Sequence, residues 1–213
     1  MPPAFLLTGF APFGGERINP SWEVAQRFDG RQIGDFTIRA ARLPVVRLPA
    51  LRRLAQLIKE IEPGALLGLG QAGERPAITL EQIAINLFSP DEIGGGERIR
   101  RIVEDGPDAY FARVPLGAML SAIARDTIPA ALSLTAGAFV CNAVMYAGLH
   151  ALRNSPEVPA GFVHLPYATA QAARHRDVAS MSMDLMERAV ELSIATIVSR
   201  AGRRRANRPL RRK

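Results

Sequence analysis

Thr127-Ile-Pro-Ala-Ala-Leu-Ser-Leu-Thr-Ala-Gly-Ala-Phe-Val-Cys-Asn-Ala-Val-Met-Tyr-Ala-Gly-Leu-His-Ala-Leu152 carries no formally charged residue, and its reading decides the fold. Its length would permit a membrane span. Its punctuation argues against one: Pro129 stands near the start, Ser133 and Thr135 alternate with apolar neighbours, Gly137 falls in the middle, and Asn142, Gly148 and His150 follow. That pattern fits a short strand over 131–135, a turn, and a buried helix over 139–152. The absence of charge then reports burial on both sides.

The same alternation extends outward. Short apolar runs bounded by turn residues predict strands over 5–8, 36–43, 65–69, 78–86 and 161–165. Helical patterns over 21–28, 48–61, 116–126 and 177–201 lie between or after them. Strands separated by helices need crossover connections, so the expected architecture is α/β with a mostly parallel sheet and helices on both faces. Ligands in such sheets bind beyond the carboxyl ends of the strands.

The chain has 213 residues and 48% hydrophobic content, enough for one domain with a real core, expected over 1–201. A single cysteine excludes an intramolecular disulfide, and no secretory signal opens the sequence, so the cytoplasm is the expected compartment. His150, His164 and His175 stand apart from one another and from the thiol, which argues against a metal site. Of 27 basic residues, seven (Arg203, Arg204, Arg205, Arg208, Arg211, Arg212 and Lys213) lie in the last twelve positions, leaving 20 basic against 20 acidic in the body. Residues 202–213 therefore read as a basic, disordered tail capable of salt-sensitive contact with nucleic acid or an acidic surface. No aromatic interleaving or matching patch supports a specific nucleic-acid site.

Three residues carry chemistry. Cys141 falls in the first turn of the helix after the 131–135 strand, where unpaired backbone amides and the helix dipole favour a thiolate. Glu81, read within one continuous strand over 78–86, shares a face with Ile83 and Ile85, where a carboxylate needs a partner. His164 ends its strand two residues before Pro166. A lone Cys with a distant His fits a thiol hydrolase, in which the imidazole protonates the leaving amine and the carboxylate orients it. The loop Thr8-Gly-Phe-Ala-Pro-Phe-Gly-Gly15 presents Phe10 and Phe13, either as a binding surface or as a cap on the core. The run Gly68-Leu-Gly-Gln-Ala-Gly73 could bring backbone amides near a ligand, yet it lacks the spacing of a dinucleotide or phosphate loop.

These segments, taken with Asn19-Pro-Ser21, Gly70-Gln-Ala-Gly73, Ile78-Thr-Leu-Glu81 to Ala84-Ile-Asn86, Thr135-Ala-Gly-Ala-Phe-Val-Cys-Asn142 and Gly161-Phe-Val-His-Leu-Pro-Tyr167, resemble the pyroglutamyl peptidase I family of cysteine peptidases over nearly the whole body. The resemblance implies a three-layer α/β/α sandwich of the phosphorylase/hydrolase-like type, and removal of N-terminal pyroglutamate from peptides. It further implies a catalytic set of Cys141, His164 and Glu81, and a pocket built from Phe10, Phe13, Asn19 and Gln71. It also implies no cofactor or metal, and a homo-oligomer, tetramer or dimer. Relatives usually carry an Arg-Ile-Pro-Asp-Asn-like segment where this chain has Leu87-Phe-Ser-Pro-Asp91-Glu-Ile-Gly-Gly-Gly96, without the arginine. Ala138 and Leu134 replace a threonine and an asparagine common in the family.

Overall fold

A computed structural model describes residues 2–89 and 100–206, with side chains to residue 202. In chain order the elements are β1 (Ala4–Phe10), α1 (Pro20–Gln26), β2 (Gln32–Ile33), β3 (Phe36–Leu43), α2 (Arg47–Ile61), β4 (Ala65–Gln71), β5 (Ile78–Glu81), β6 (Ile83–Ile85) and β7 (Ala109–Phe111). They continue with α3 (Leu116–Arg125), β8 (Ala130–Ser133), α4 (Val140–Ala151), β9 (Ala160–Leu165), β10 (Tyr167–Ala168), α5 (Thr169–Ala172), β11 (Ser180–Met181) and α6 (Met183–Ala206).

Seven strands form one sheet in the order β2-β3-β1-β4-β9-β5-β8. β3, β1, β4 and β9 are mutually parallel, while β5 and β8 run together but opposite to β9, and β2 is an antiparallel edge. The mixed α/β architecture with a mostly parallel sheet is as the sequence predicts. Strand alternation explains the layers. Phe5, Leu7, Leu67, Leu69, Val163 and Leu165 face α1, α3 and α6, whereas Leu6, Leu66 and Phe162 face α2 and α4. Burying each such large side chain stabilises the fold by about 1.5–3 kcal/mol, so both faces hold the sheet in register. The uncharged run opens into β8, a turn and α4, and α4 buries Val144, Met145, Tyr146 and Leu149 between α2 and the sheet. Among the described residues no helix is long and apolar enough to cross a membrane.

Three boundaries differ from the periodicity. The predicted strand over 78–86 breaks at Gln82: Gln82 N makes the last rung of the β5–β8 ladder by donating to Ser133 O, and the chain then leaves the main sheet to pair β6 with β7. The last helix begins at Met183 rather than at Asp177, since Asp177 is left-handed at φ 55° and Ser180–Met181 pairs with β10. That helix continues to Ala206, so the first residues of the expected disordered tail are helical, and 207–213 lie outside the described residues.

Candidate active site

The cleft lies where β1, β4 and β9 end and the start of α4 crosses the sheet, with a volume of about 640 Å³. Phe10, Phe13, Asn19, Gln71, Cys141 and His164 all line it, and Glu81 lies beneath His164. The expected residues, scattered over 155 positions from Phe10 to His164, are thus brought together.

Cys141 is the second residue of α4, whose N-cap Phe139 makes no side-chain capping bond. The neighbouring Asn142 is fully buried and fixes this helix start, accepting from Ile85 N at 2.9 Å and donating to Ile85 O at 2.9 Å and Leu87 O at 3.2 Å. On the sheet side, room for the sulfur comes from Gly70. A Cβ there would lie 2.9 Å from Cys141 Sγ and 2.9 Å from the Phe162 ring. Gly68 and Gly70 therefore serve close packing of Phe162 and Cys141, while Gln71, Ala72 and Gly73 at the end of the run line the cleft.

His164 sits on β9 on the same face as Phe162, against which its ring packs edge-on at 5.0 Å. Its Nδ1 is 2.8 Å from Glu81 Oε1. A carboxylate only accepts, so Nδ1 carries the proton and Nε2 is left as the acceptor. Burial pushes the His164 imidazole below its ordinary value; the Glu81 hydrogen bond and charge oppose this, and the Arg75 charge reinforces it. Burial works to raise the wholly buried Glu81 carboxyl, but the His164 hydrogen bond, the Ser133 hydroxyl and the His164 and Arg75 charges outweigh it and hold it below the usual carboxylate value.

Glu81 meets His164, but not through the predicted alternation. With the break at Gln82, it shares its face with Thr79, while Ile78 and Leu80 point to the opposite core; Ile83 and Ile85 belong to another sheet. The residue that periodicity missed is Arg75, in the turn before β5. Its Nη1 donates to Glu81 Oε1, to Thr79 Oγ1 at 2.6 Å and to Ser133 Oγ at 3.5 Å, and its Nη2 donates to Thr135 O at 3.3 Å. The signal available was its place in Gly73-Glu-Arg75-Pro76, directly before the strand bearing Glu81.

Phe10 and Phe13 divide the two readings between them. Phe10 is buried against Phe162 and still reaches the cleft floor, whereas Phe13 is 43% exposed at the rim. Asn19 is committed to structure: it caps α1, accepts from Ser21 N at 3.1 Å and Ser21 Oγ at 2.7 Å, and donates to Ala11 O at 3.0 Å. Ser21 Oγ in turn accepts from Phe10 N at 2.9 Å, so Asn19-Pro-Ser21 clamps the end of β1. Gln71 Oε1 accepts from Gln171, a fully buried amide that also bridges Ile18 O and Ala168 N. Tyr167 and Phe139 complete the walls. No group of three or more potential metal ligands occurs among the described residues.

The profile of the pyroglutamyl peptidases matches residues 4–200. The chain belongs to that family. A pyrrolidone-carboxylate peptidase of Escherichia fergusonii is 44% identical over 194 residues, covering 90% of this chain and 91% of the relative. One of Yersinia pestis is 44% identical over 194 residues, with 89% and 90% covered. Among solved structures, pyroglutamyl peptidase I from Bacillus amyloliquefaciens superposes with a TM-score of 0.86 at 37% identity over 93% of this chain and 96% of that one. Pyrrolidone carboxyl peptidase from Thermococcus litoralis gives 0.88 at 33% identity over 95% and 96%. Within this family of pyroglutamyl peptidases, the chain's arginine-free stretch after Leu87 falls largely on residues 90–99, outside the described residues.

Proposed function

We propose that the protein hydrolyses the amide bond after an N-terminal pyroglutamyl residue of peptides, with Cys141 as nucleophile, His164 as proton carrier and Glu81 as its orienter. The observation that carries this reading is the buried Glu81–His164 hydrogen bond at 2.8 Å beneath a cleft that also holds the chain's only thiol. The start of α4 favours negative charge on sulfur, because the positive end of the helix dipole points there. His164 Nε2 takes the thiol proton, Sγ attacks the carbonyl carbon, and a tetrahedral oxyanion forms. Its collapse breaks the C–N bond as the imidazolium gives its proton to the leaving amine, leaving a thioester. Water, deprotonated by the same imidazole, then releases pyroglutamate and restores the thiol.

The walls suit this substrate. Pyroglutamate is a small lactam without a charged amine, so it needs flat apolar surfaces and a few polar contacts. Phe10, Phe13 and Phe139 supply the surfaces, and Gln71 meets the lactam amide, a reading supported by its position in the cleft lining. Asn19 contributes by holding the Phe10 loop rather than by touching the ring. The test is release of a fluorogenic amine from a pyroglutamyl amide by the full chain. Turnover lost in Cys141→Ala, with a prolyl amide untouched, is expected; folded, reduced protein without turnover would overturn the reading.

A further inference from the structure

We propose that Arg75 is a positioning residue of this site: it ties the Glu81 carboxylate to the loop that delivers the nucleophile, so that the two halves of the machinery keep one geometry. The inference rests on the peptidase reading above and extends it to a residue to which neither the motifs nor the chemistry of the reaction had assigned a part.

Glu81 and His164 come from strands β5 and β9, whereas Cys141 is delivered by α4 through the loop 134–139. Among the described residues no hydrogen bond of the Glu81–His164 pair reaches that loop directly; Glu81 meets Ser133, whose hydroxyl bonds Thr135. Arg75 reaches the loop directly: one nitrogen of its fork engages Glu81 Oε1 and Ser133 Oγ, and the other engages Thr135 O. From Thr135 the restraint passes on, since Gly137 N donates to Thr135 Oγ1 at 3.1 Å, with Gly137 left-handed at φ 82° just ahead of the helix cap at Phe139. A planar fork can serve two acceptors in fixed relation, which a lysine cannot.

Arg75 also sets the charge seen by His164. Both residues use the same oxygen, Oε1, so the guanidinium takes up part of the negative charge that would otherwise draw a proton onto the imidazole. The titratable or charged groups around His164 include Glu81 on β5, Arg75 in the β4–β5 turn, Cys141 on α4, Tyr167 on β10 and Glu74 at the cleft rim. Removal of Arg75 leaves Glu81 as the dominant charge, and the imidazole then holds its proton to higher pH, consistent with the downward push that Arg75 exerts.

The experiment uses the full chain as wild type, Arg75→Met and Arg75→Lys. His164 is titrated by NMR of its imidazole, identified among the three histidines by the spectrum of His164→Gln, and kcat and KM are measured on the pyroglutamyl amide. In Arg75→Met the His164 midpoint moves to higher pH, and kcat falls by on the order of 10²-fold, the scale of a misplaced reacting group, with KM nearly unchanged. In Arg75→Lys the midpoint returns toward the wild-type value while kcat recovers only in part. An unmoved midpoint in folded Arg75→Met, or a loss confined to KM, would overturn the proposal. Wild-type protein inactive on the amide would refute the peptidase reading alone, because the titration still decides the role of Arg75.

Discussion

Two clusters of the same three residue types border the cleft, and they behave differently. On its floor, Arg75, Glu81 and His164 share one carboxylate oxygen, with Glu81 wholly buried and the His164 side chain 5% exposed. At the rim, Glu16 offers a separate oxygen to each partner, Oε2 to Arg174 and Oε1 to His175, whose side chains are 44% and 36% exposed. The rim cluster straps the Phe13 loop to the segment after α5, and His175 stacks on the cleft residue Tyr167 at 4.9 Å. The Glu16 carboxyl, its side chain 10% exposed, is held low first by its hydrogen bond to His175, which outweighs a smaller burial penalty; for Glu81 burial is the largest influence, and the carboxyl is held low against it. The same residue types therefore make a clasp screened on its cationic side in one place and a wholly buried, strongly coupled site in the other.

The sharpest way to break this contrast is to neutralise each glutamate in turn. Glu81→Gln is expected to lower kcat/KM by about 10²–10⁴-fold, because the imidazole loses its orienting acceptor. Glu16→Gln should change it by no more than about fivefold, the range of an exposed ion pair. Equal losses in the two variants would mean that burial does not distinguish the clusters.

Packing gives a second test. Phe162, fully buried under His164 and Phe10, should cost about 3–5 kcal/mol when replaced by alanine, read from the urea midpoint. Tyr167→Ala at the rim should cost closer to about 1 kcal/mol. If the rim residue proved the costlier, the strap would be part of the core.

Acid should find the floor first. His164 has a folded value below its ordinary 6.5, so the unfolded chain binds the proton more readily, and stability present above that pH is lost as pH falls from 6.5 through the folded value. Glu81, depressed below 4.5, adds stability above 4.5 that is lost as pH falls through its own lowered value. Urea midpoints measured against pH should therefore fall in two stages, and His164→Gln should shrink the earlier one, leaving the part due to His150, which burial also holds below 6.5. The smallest effect concerns salt. Raising ionic strength should weaken the Glu16 clasp, visible as a modest rise in KM, and leave the His164 titration almost unmoved.

Much of this molecule could be read in advance. The strands 36–43 and 65–69, the helix at 139–152 and the cleft residues Phe10, Cys141 and His164 follow from patterns only a few residues long, and such local patterns survive folding. Glu81 was found by an alternation that the structure interrupts at Gln82, so its selection owed more to a carboxylate among apolar neighbours than to its true face. Arg75 was invisible to periodicity, since an arginine in a turn reads as solvent-exposed until the strand after it brings a buried carboxylate within reach.

The sequence by itself determined the layers of the sheet and the chemistry available, because side-chain period and residue type are local properties. It also determined that only one thiol could serve. Tertiary structure alone decided that β5 and β8 run against β9, that Gly70 clears space for Sγ, and that one arginine joins the carboxylate to the loop before α4. Those are facts of register and close approach between segments distant in the chain, and no window of sequence contains both sides of the contact.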